Sequence, residues 1–333
     1  MEKKSLGSRL LSNQKYIVLV VFVVLYILFF IGSVPFRKYT TLIQLLDTSY
    51  YFVFMGIGVS FALITGGVDL SIGTGMVCYA LAGGYLVRQG VLPVWGGLLV
   101  AVLFGLAIGT LNGVLVSLME LPPFLATLCT CMITRGLGSI CAAYSAVPWP
   151  TGKQPGAGFH NMWTISYVAE GGKKMNIPMG VIWIVLACLI MMFVLNHTRF
   201  GRYAIAIGSN KEATRLSGVN VKLYHVLAYT VCGLFAGLAA IPYASKIPTI
   251  QPGTGAGMEL DAIGGAILGG MSTTGGYGSI EGTVIGVYVI CLLKIGLPFV
   301  GLQANWQQVI TGFILIGAVL IDIVKRRGEI KTA

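Results

Sequence analysis

Few side chains in this sequence can do chemistry, and most of them stand among glycines. Asp69 lies in ITGGVDLSIGTG, Ile64 to Gly75, directly after an uncharged run from Thr48 to Ile64. Gly66, Gly67 and Gly73 interrupt the helical pattern there, since each glycine costs about 1 kcal/mol against alanine in a helix. At membrane depth such a break must be buried in protein or line a wet cavity. Three roles are open to Asp69, flanked by Thr65 and Ser71. It caps the following helix by accepting backbone N–H bonds at the positive helix end, it contacts a substrate or ion, or it sits in a solvated turn. A second glycine string, GGMSTTGGYGSIEG, holds Gly275 and Gly276 and leads to Glu281. Arg135 and Lys294 fall within apolar segments. Ionisable groups at such depth either pair structurally or serve a pathway.

Other chemistry is missing from the pattern. G-x-x-x-x-G-K-[ST], H-E-x-x-H and G-x-S-x-G do not occur, so no triphosphate loop, zinc protease site or nucleophile elbow is expected. The seven cysteines lie in or beside apolar segments and read as small buried hydrophobes rather than a disulfide or zinc framework. His160, His197 and His225 are scattered. No metal site is expected.

The elements that position these residues follow from composition. Of 333 residues, 56% are hydrophobic and 10% charged, with mean hydropathy +0.85. A soluble domain carries about 25% charged residues. The chain is therefore expected to be an all-α polytopic membrane protein forming one transmembrane domain over 1–333. Ten apolar segments are expected, at 16–34, 48–65, 70–87, 92–118, 124–144, 178–195, 223–243, 261–272, 279–297 and 305–324. The eighth is short and glycine-rich. The first follows Lys3, Lys4, Arg9 and Lys15 and reads as a retained helix rather than a signal peptide.

Counting ten spans places the tail 1–15, the loop 196–222 and the tail 325–333 on the cytoplasmic side, where they hold most of the 22 Lys and Arg residues. Residues 145–177, rich in proline and glycine, become an external loop. The net charge of +11 reflects this topology and contact with membrane lipids, not nucleic acid. Within the internal loop, Ser209-Asn210-Lys211-Glu212 matches a capping box, in which Ser209 and Glu212 satisfy opposite N–H groups. Arg215 and Leu216 continue the helix to a stop at Gly218. This short helix is either a solvated connector or a docking element.

Five stretches in order resemble the permease subunits of bacterial ABC importers for monosaccharides of the ribose/galactose/xylose type. They are ITGGVDLSIG (64–73), LPPFLATL (121–128), TRFGRYAIAIGSNKEATRLSGVNV (198–221), ELDAIGGAILGG (259–270) and GGYGSIEGTVIG (275–286). The external PWPTGKQPGAGFHNMW and the glycines of AIGGAILGG depart from the family pattern. The resemblance implies the helical fold of vitamin B12-type permeases, with about ten helices, some short or broken. It further implies a bacterial inner-membrane location and pairing with a second copy or a sister permease. A separate ATPase would bind ATP inside, this chain holding no cofactor and catalysing nothing, and a binding protein would deliver sugar outside. The helix from Ser209 to Gly218 is then the coupling helix. The competing reading is an ion-coupled secondary transporter using Asp69 or Glu281 at broken helices.

The glycine-rich pathway segments offer few aromatics or paired amides to grip a sugar, and selectivity needs several directional hydrogen bonds in a concave site. Discrimination is therefore expected to reside in the binding protein. Equilibrium binding to the purified permease without that protein is expected to show no selective sugar site of low-micromolar affinity, and finding one overturns this expectation.

Overall fold

The computed structural model describes residues 14–320, apart from 169–173, 304, 315 and 318. The tail 325–333 and most of the tail 1–15 lie outside the described residues. The chain is mostly helical, and each of the ten apolar segments falls on a helix: α1 (Gln14–Gly32), α2 (Tyr39–Ile64), α3 (Ile72–Arg88), α4 (Val94–Ser117), α5 (Pro123–Cys141), α6 (Gly180–His197), α9 (Val221–Lys246), α10 (Met258–Leu268), α11 (Ile280–Phe299) and a last helix, α12, within 305–320. Between α6 and α9 come α7 (Arg199–Ser209) and α8 (Lys211–Leu216). Seven of these helices are long and apolar enough to cross a membrane, which makes this a polytopic membrane protein.

The helices alternate in direction. Gln14 Nε2 donates to the carbonyls of Ile267 and Leu268 and Lys15 meets Glu281, so α1 starts level with the end of α10 and the start of α11. This is the lower end. At the upper end His160 bonds Ser245 and Pro150, and Arg88 reaches Ser145, tying residues 142–179 to the tops of α9 and α3.

Three differences from the sequence reading have physical causes. First, α2 begins at Tyr39, not 48. Asp47 interrupts the hydropathy but not the helix, because it is buried and holds Lys246 and Thr164. Second, the loop 145–177 is not without structure, and the chain is not wholly helical. The strand β1 (Val147–Pro148) pairs with β4 (Thr249–Ile250), and β2 (Ile165–Val168) with β3 (Lys174–Ile177), both antiparallel. Third, the glycine-rich eighth segment is α10, of 11 residues. At 1.5 Å per residue it rises about 17 Å, half of what a bilayer core needs.

The core surrounds α2, which is almost wholly buried from Ser49 to Ile64. By contrast, α1, α5 and α6 bury few of their residues and present apolar side chains outward. No hydrophobic driving force separates one apolar helix from another in lipid, so close backbone approach supplies much of the packing. One such case is α4 against α9. A Cβ on Gly109 would come within 2.7 Å of Gly233 Cα, and one on Gly105 within 2.8 Å of Gly237 Cα. Those neighbours are backbone and cannot rotate aside. Replacing Gly109 by leucine is expected to destabilise the fold by about 1–3 kcal/mol through overpacking. Thermal unfolding in detergent checks this, with Gly136→Ala as the control, since nothing lies within 4 Å of Gly136.

Candidate functional site

Between α2 and α3 the chain runs without helix from Thr65 to Ser71. Gly66, at φ +82°, lets α2 end sharply, and Gly67 has no room for a side chain beneath the Tyr229 hydroxyl. Asp69 is fully buried. Its Oδ1 accepts from the Ser71 N–H (2.9 Å) and the Ser71 hydroxyl (2.6 Å), and Asn112 Nδ2 donates to both carboxylate oxygens at 3.3 Å. Asn112 Nδ2 also donates to Ser71 Oγ at 2.9 Å. The helix-capping role is corrected in detail. Ser71 is the residue that enters α3, and no side chain caps that helix. Asp69 instead closes a tight turn onto Ser71 and pins it to α4. Gly73 then packs against the entry to α10, where a Cβ would come within 2.7 Å of the Gly255 carbonyl.

The two glycine strings, far apart in sequence, meet. Gly276 N–H donates to the Ile64 carbonyl at 2.9 Å, closing the end of α2. Gly275 and Gly276 both adopt positive φ, at +87° and +88°. Glu281 enters α11 behind the Ser279 cap and pairs with Lys15 at 3.0 Å. It ties α1 to α11.

The other two intramembrane charges singled out from the sequence separate into a paired one and a loner. Lys294 on α11 is held by Asp261 on α10 and lies 4.8 Å from the Phe52 ring centroid. Arg135 is exposed on α5, and among the described residues its guanidinium has no hydrogen-bond partner. Sequence reasoning left out Asn112, Glu259 and Asp261. Glu259 bends back to accept from Gly257 N–H at 2.9 Å at the start of α10, while its Oε2 is buried without a partner. Asn112 gains its role from the Asp69 turn, and Glu259 and Asp261 gain theirs from the placement of a half-length helix.

The capping box at Ser209 does not form. Ser209 is the last residue of α7, and its hydroxyl donates back to the Ile205 carbonyl at 3.0 Å. Asn210 caps α8 instead, accepting from Ala213 N–H at 2.9 Å. The reason is local: RFGRYAIAIGS forms its own helix under a Thr198 cap, which carries Ser209 inside it. Glu212, free of the box, pairs with Arg215 at 2.9 Å, and among the described residues Lys211 is left as the unpaired cation of this helix. Gly218 ends the unit at φ +82°, as expected. Leu216 is 81% exposed, an apolar side chain offered outward at the lower end. Behind α8 lies a cavity of about 820 Å³, lined by Gly66, Glu120, Lys211, Lys222 and His225 among others. It places α8 next to the Asp69 turn.

A family model described as branched-chain amino acid transport system / permease component matches residues 41–319. The ribose import permease protein RbsC of Escherichia coli is 34% identical over 295 residues, covering 87% of this chain and 88% of the relative. RbsC of Bacillus subtilis is 36% identical over 270 residues, with 80% and 79% covered. The galactose/methyl galactoside import permease protein MglC of Salmonella typhimurium is 29% identical over 340 residues, with 98% of each covered. No solved structure gives a significant match.

Because Asp69 receives several buried donors, its replacement by leucine strands them, at about 1–3 kcal/mol for each group left unsatisfied. Asp69→Leu is expected to lose most folded protein, and Asp69→Asn, which keeps one acceptor oxygen, is expected to fold with a lower melting temperature. Valine at Gly66, Gly67 or Gly73 is expected to behave like leucine at 69. Size-exclusion yield and thermal melting measure both. Normal melting of Asp69→Asn combined with abolished transport would instead mark Asp69 as an ion-coupling group.

Proposed function

The chain belongs to the family described as branched-chain amino acid transport system / permease component, and from that membership we propose that it is the membrane permease of an ABC importer for a monosaccharide. The relatives named for ribose and galactose import support the substrate class. On this reading the chain crosses the bilayer ten times in the arrangement of vitamin B12-type permeases, with both termini in the cytoplasm of a bacterium. Seven crossings are the long helices, and α3 and α12 are two more. The remaining one combines the segment 251–257, descending from the upper end, with the half-helix α10.

ATP is hydrolysed by a separate subunit, the sugar arrives from an external binding protein, and a second permease copy or a sister chain completes the pathway. The observation that carries the coupling role is α8: a capped, six-residue helix at the lower end, backed by α7 and α9, presenting Leu216 and Lys211 outward. A rigid short helix with an apolar tip and a flanking cation suits a groove on an ATPase. The ion-coupled reading needs a carboxylate open to a cation. Asp69 is filled by donors and Glu281 is engaged by Lys15, which disfavours it.

Reconstitution with the ATPase and the binding protein tests the proposal, the expected result being ATP-dependent uptake of a monosaccharide. Uptake that persists without any ATPase and follows an ion gradient overturns it. Lys211→Glu combined with Arg215→Glu is expected to leave membrane insertion intact and weaken ATPase association at least about tenfold, as for an interface hot spot. If the ATPase still co-purifies in full and hydrolysis remains substrate-stimulated, this surface is not the docking site.

A further inference from the structure

About two thirds of the way up α11 the structure leaves a cavity of about 500 Å³ between the start of α10, α11 and α12. Its height follows from the helices. Lys294 lies fourteen residues into α11, about 21 Å above its start, and Asp261 faces it from the first turn of a helix that rises only about 17 Å. In a membrane span such a cavity would ordinarily be lined by apolar side chains. Half of the lining here is polar, Asp261, Lys294, Gln307, Gln308 and Thr311, and the rest is small or apolar, Met258 and Leu260 included. Residues 307, 308 and 311 share one face of α12, since helix neighbours recur at three and four residues.

Much of the hydrogen-bonding capacity around the cavity is unspent. Asp261 uses Oδ2 on Lys294, while its Oδ1 has no partner among the described residues. Gln307 Nε2 donates to the Lys294 carbonyl at 3.0 Å, which leaves Oε1 to accept. Among the described residues, neither the Gln308 amide nor the Thr311 hydroxyl has a partner, although Thr311 is only 8% exposed. Thr311 is buried, Asp261 and Gln307 are half-buried and Gln308 is exposed, so these groups line the wall where a molecule entering the cavity can take them up.

Charge selects the class of occupant. The one carboxylate and the one ammonium neutralise each other, so the wall favours neither an anion nor a cation. The wall offers both acceptors and donors, which suits a molecule whose every group both donates and accepts. From this constellation we propose that the cavity is a transit subsite for a neutral polyol, a monosaccharide in the reading above, on which this inference rests. The volume falls in the range of small-molecule pockets, about 300–1,000 Å³. A transit site must also release its occupant, so its affinity is millimolar and leaves discrimination with the binding protein. Gln307 and Gln308 are the adjacent amides that the linear sequence did not bring to any pathway segment.

The test uses the assembled complex in nanodiscs, without ATP and without the binding protein, probed by saturation-transfer NMR with D-ribose, D-galactose and L-leucine. The expected result is millimolar binding of at least one sugar and none of leucine. Gln308→Leu combined with Thr311→Val is expected to weaken that binding about tenfold, the loss of two modest hydrogen bonds. It is also expected to raise the KM for uptake while leaving melting temperature unchanged. Should the double variant misfold, Gln308→Asn, which withdraws the amide by one methylene, is read in the same way. Absence of sugar binding to the wild-type complex, preference for leucine, or unaltered binding by the variants overturns the subsite. A complex that takes up no monosaccharide at all overturns the importer reading instead, and the binding spectra distinguish the two failures.

Discussion

A helix that breaks inside a bilayer has no water to complete its hydrogen bonds, so each interruption must be closed by protein. Much of this structure follows from that constraint. The end of α2 is closed by Gly276, the turn after it by Asp69 with Ser71 and Asn112, and the start of α10 by Glu259 folding back onto Gly257. Two of these closures draw in a distant element: α11 through the second glycine string, and α4 through Asn112. The breaks are thus the places where the helices are fastened together.

The fastening depends on close approach as well as on polar groups. Glycines bring α4 onto α9 and α3 onto the entry to α10 at backbone contact. Such packing is stiff because backbone cannot swing aside as a side chain can. A movement imposed on α8 by a partner would therefore travel through α7, whose Gly208 lies against Ile64 and Gly276 at the lower end of α2, toward the Asp69 turn. The half-helix α10 interrupts this tight lattice. Because it spans only about half the bilayer, it leaves space beside α11 and α12, where Asp261 meets Lys294.

The charges of the interior divide by how they are compensated. Asp47 with Lys246 and Asp261 with Lys294 are cross-helix pairs, and Glu281 with Lys15 joins α1 to the bundle. Asp69 has donors in place of a cation. Breaking one member of a buried pair costs more than the pair gains, because the remaining charge is stranded. These pairs therefore specify which helices are neighbours more than they add stability.

The ten apolar segments, the membrane class and the positions of both glycine breaks were legible in the linear sequence, because hydropathy and glycine content act locally. The same local reading went astray where tertiary contact overrode it. Asp47 looked like a helix boundary, but a lysine from α9 neutralises it within α2. Ser209 looked like a cap, but the preceding helix reaches far enough to absorb it, and Asn210 takes its place. The family resemblance spread over the chain, yet nothing in the order of residues showed that Gly276 would close α2 or that Asn112 would serve Asp69. Nor did it show that Gln307, Gln308 and Thr311 would face Asp261 and Lys294. Those neighbours are set by how far each helix rises and which backbones can touch, and only the folded chain decides that.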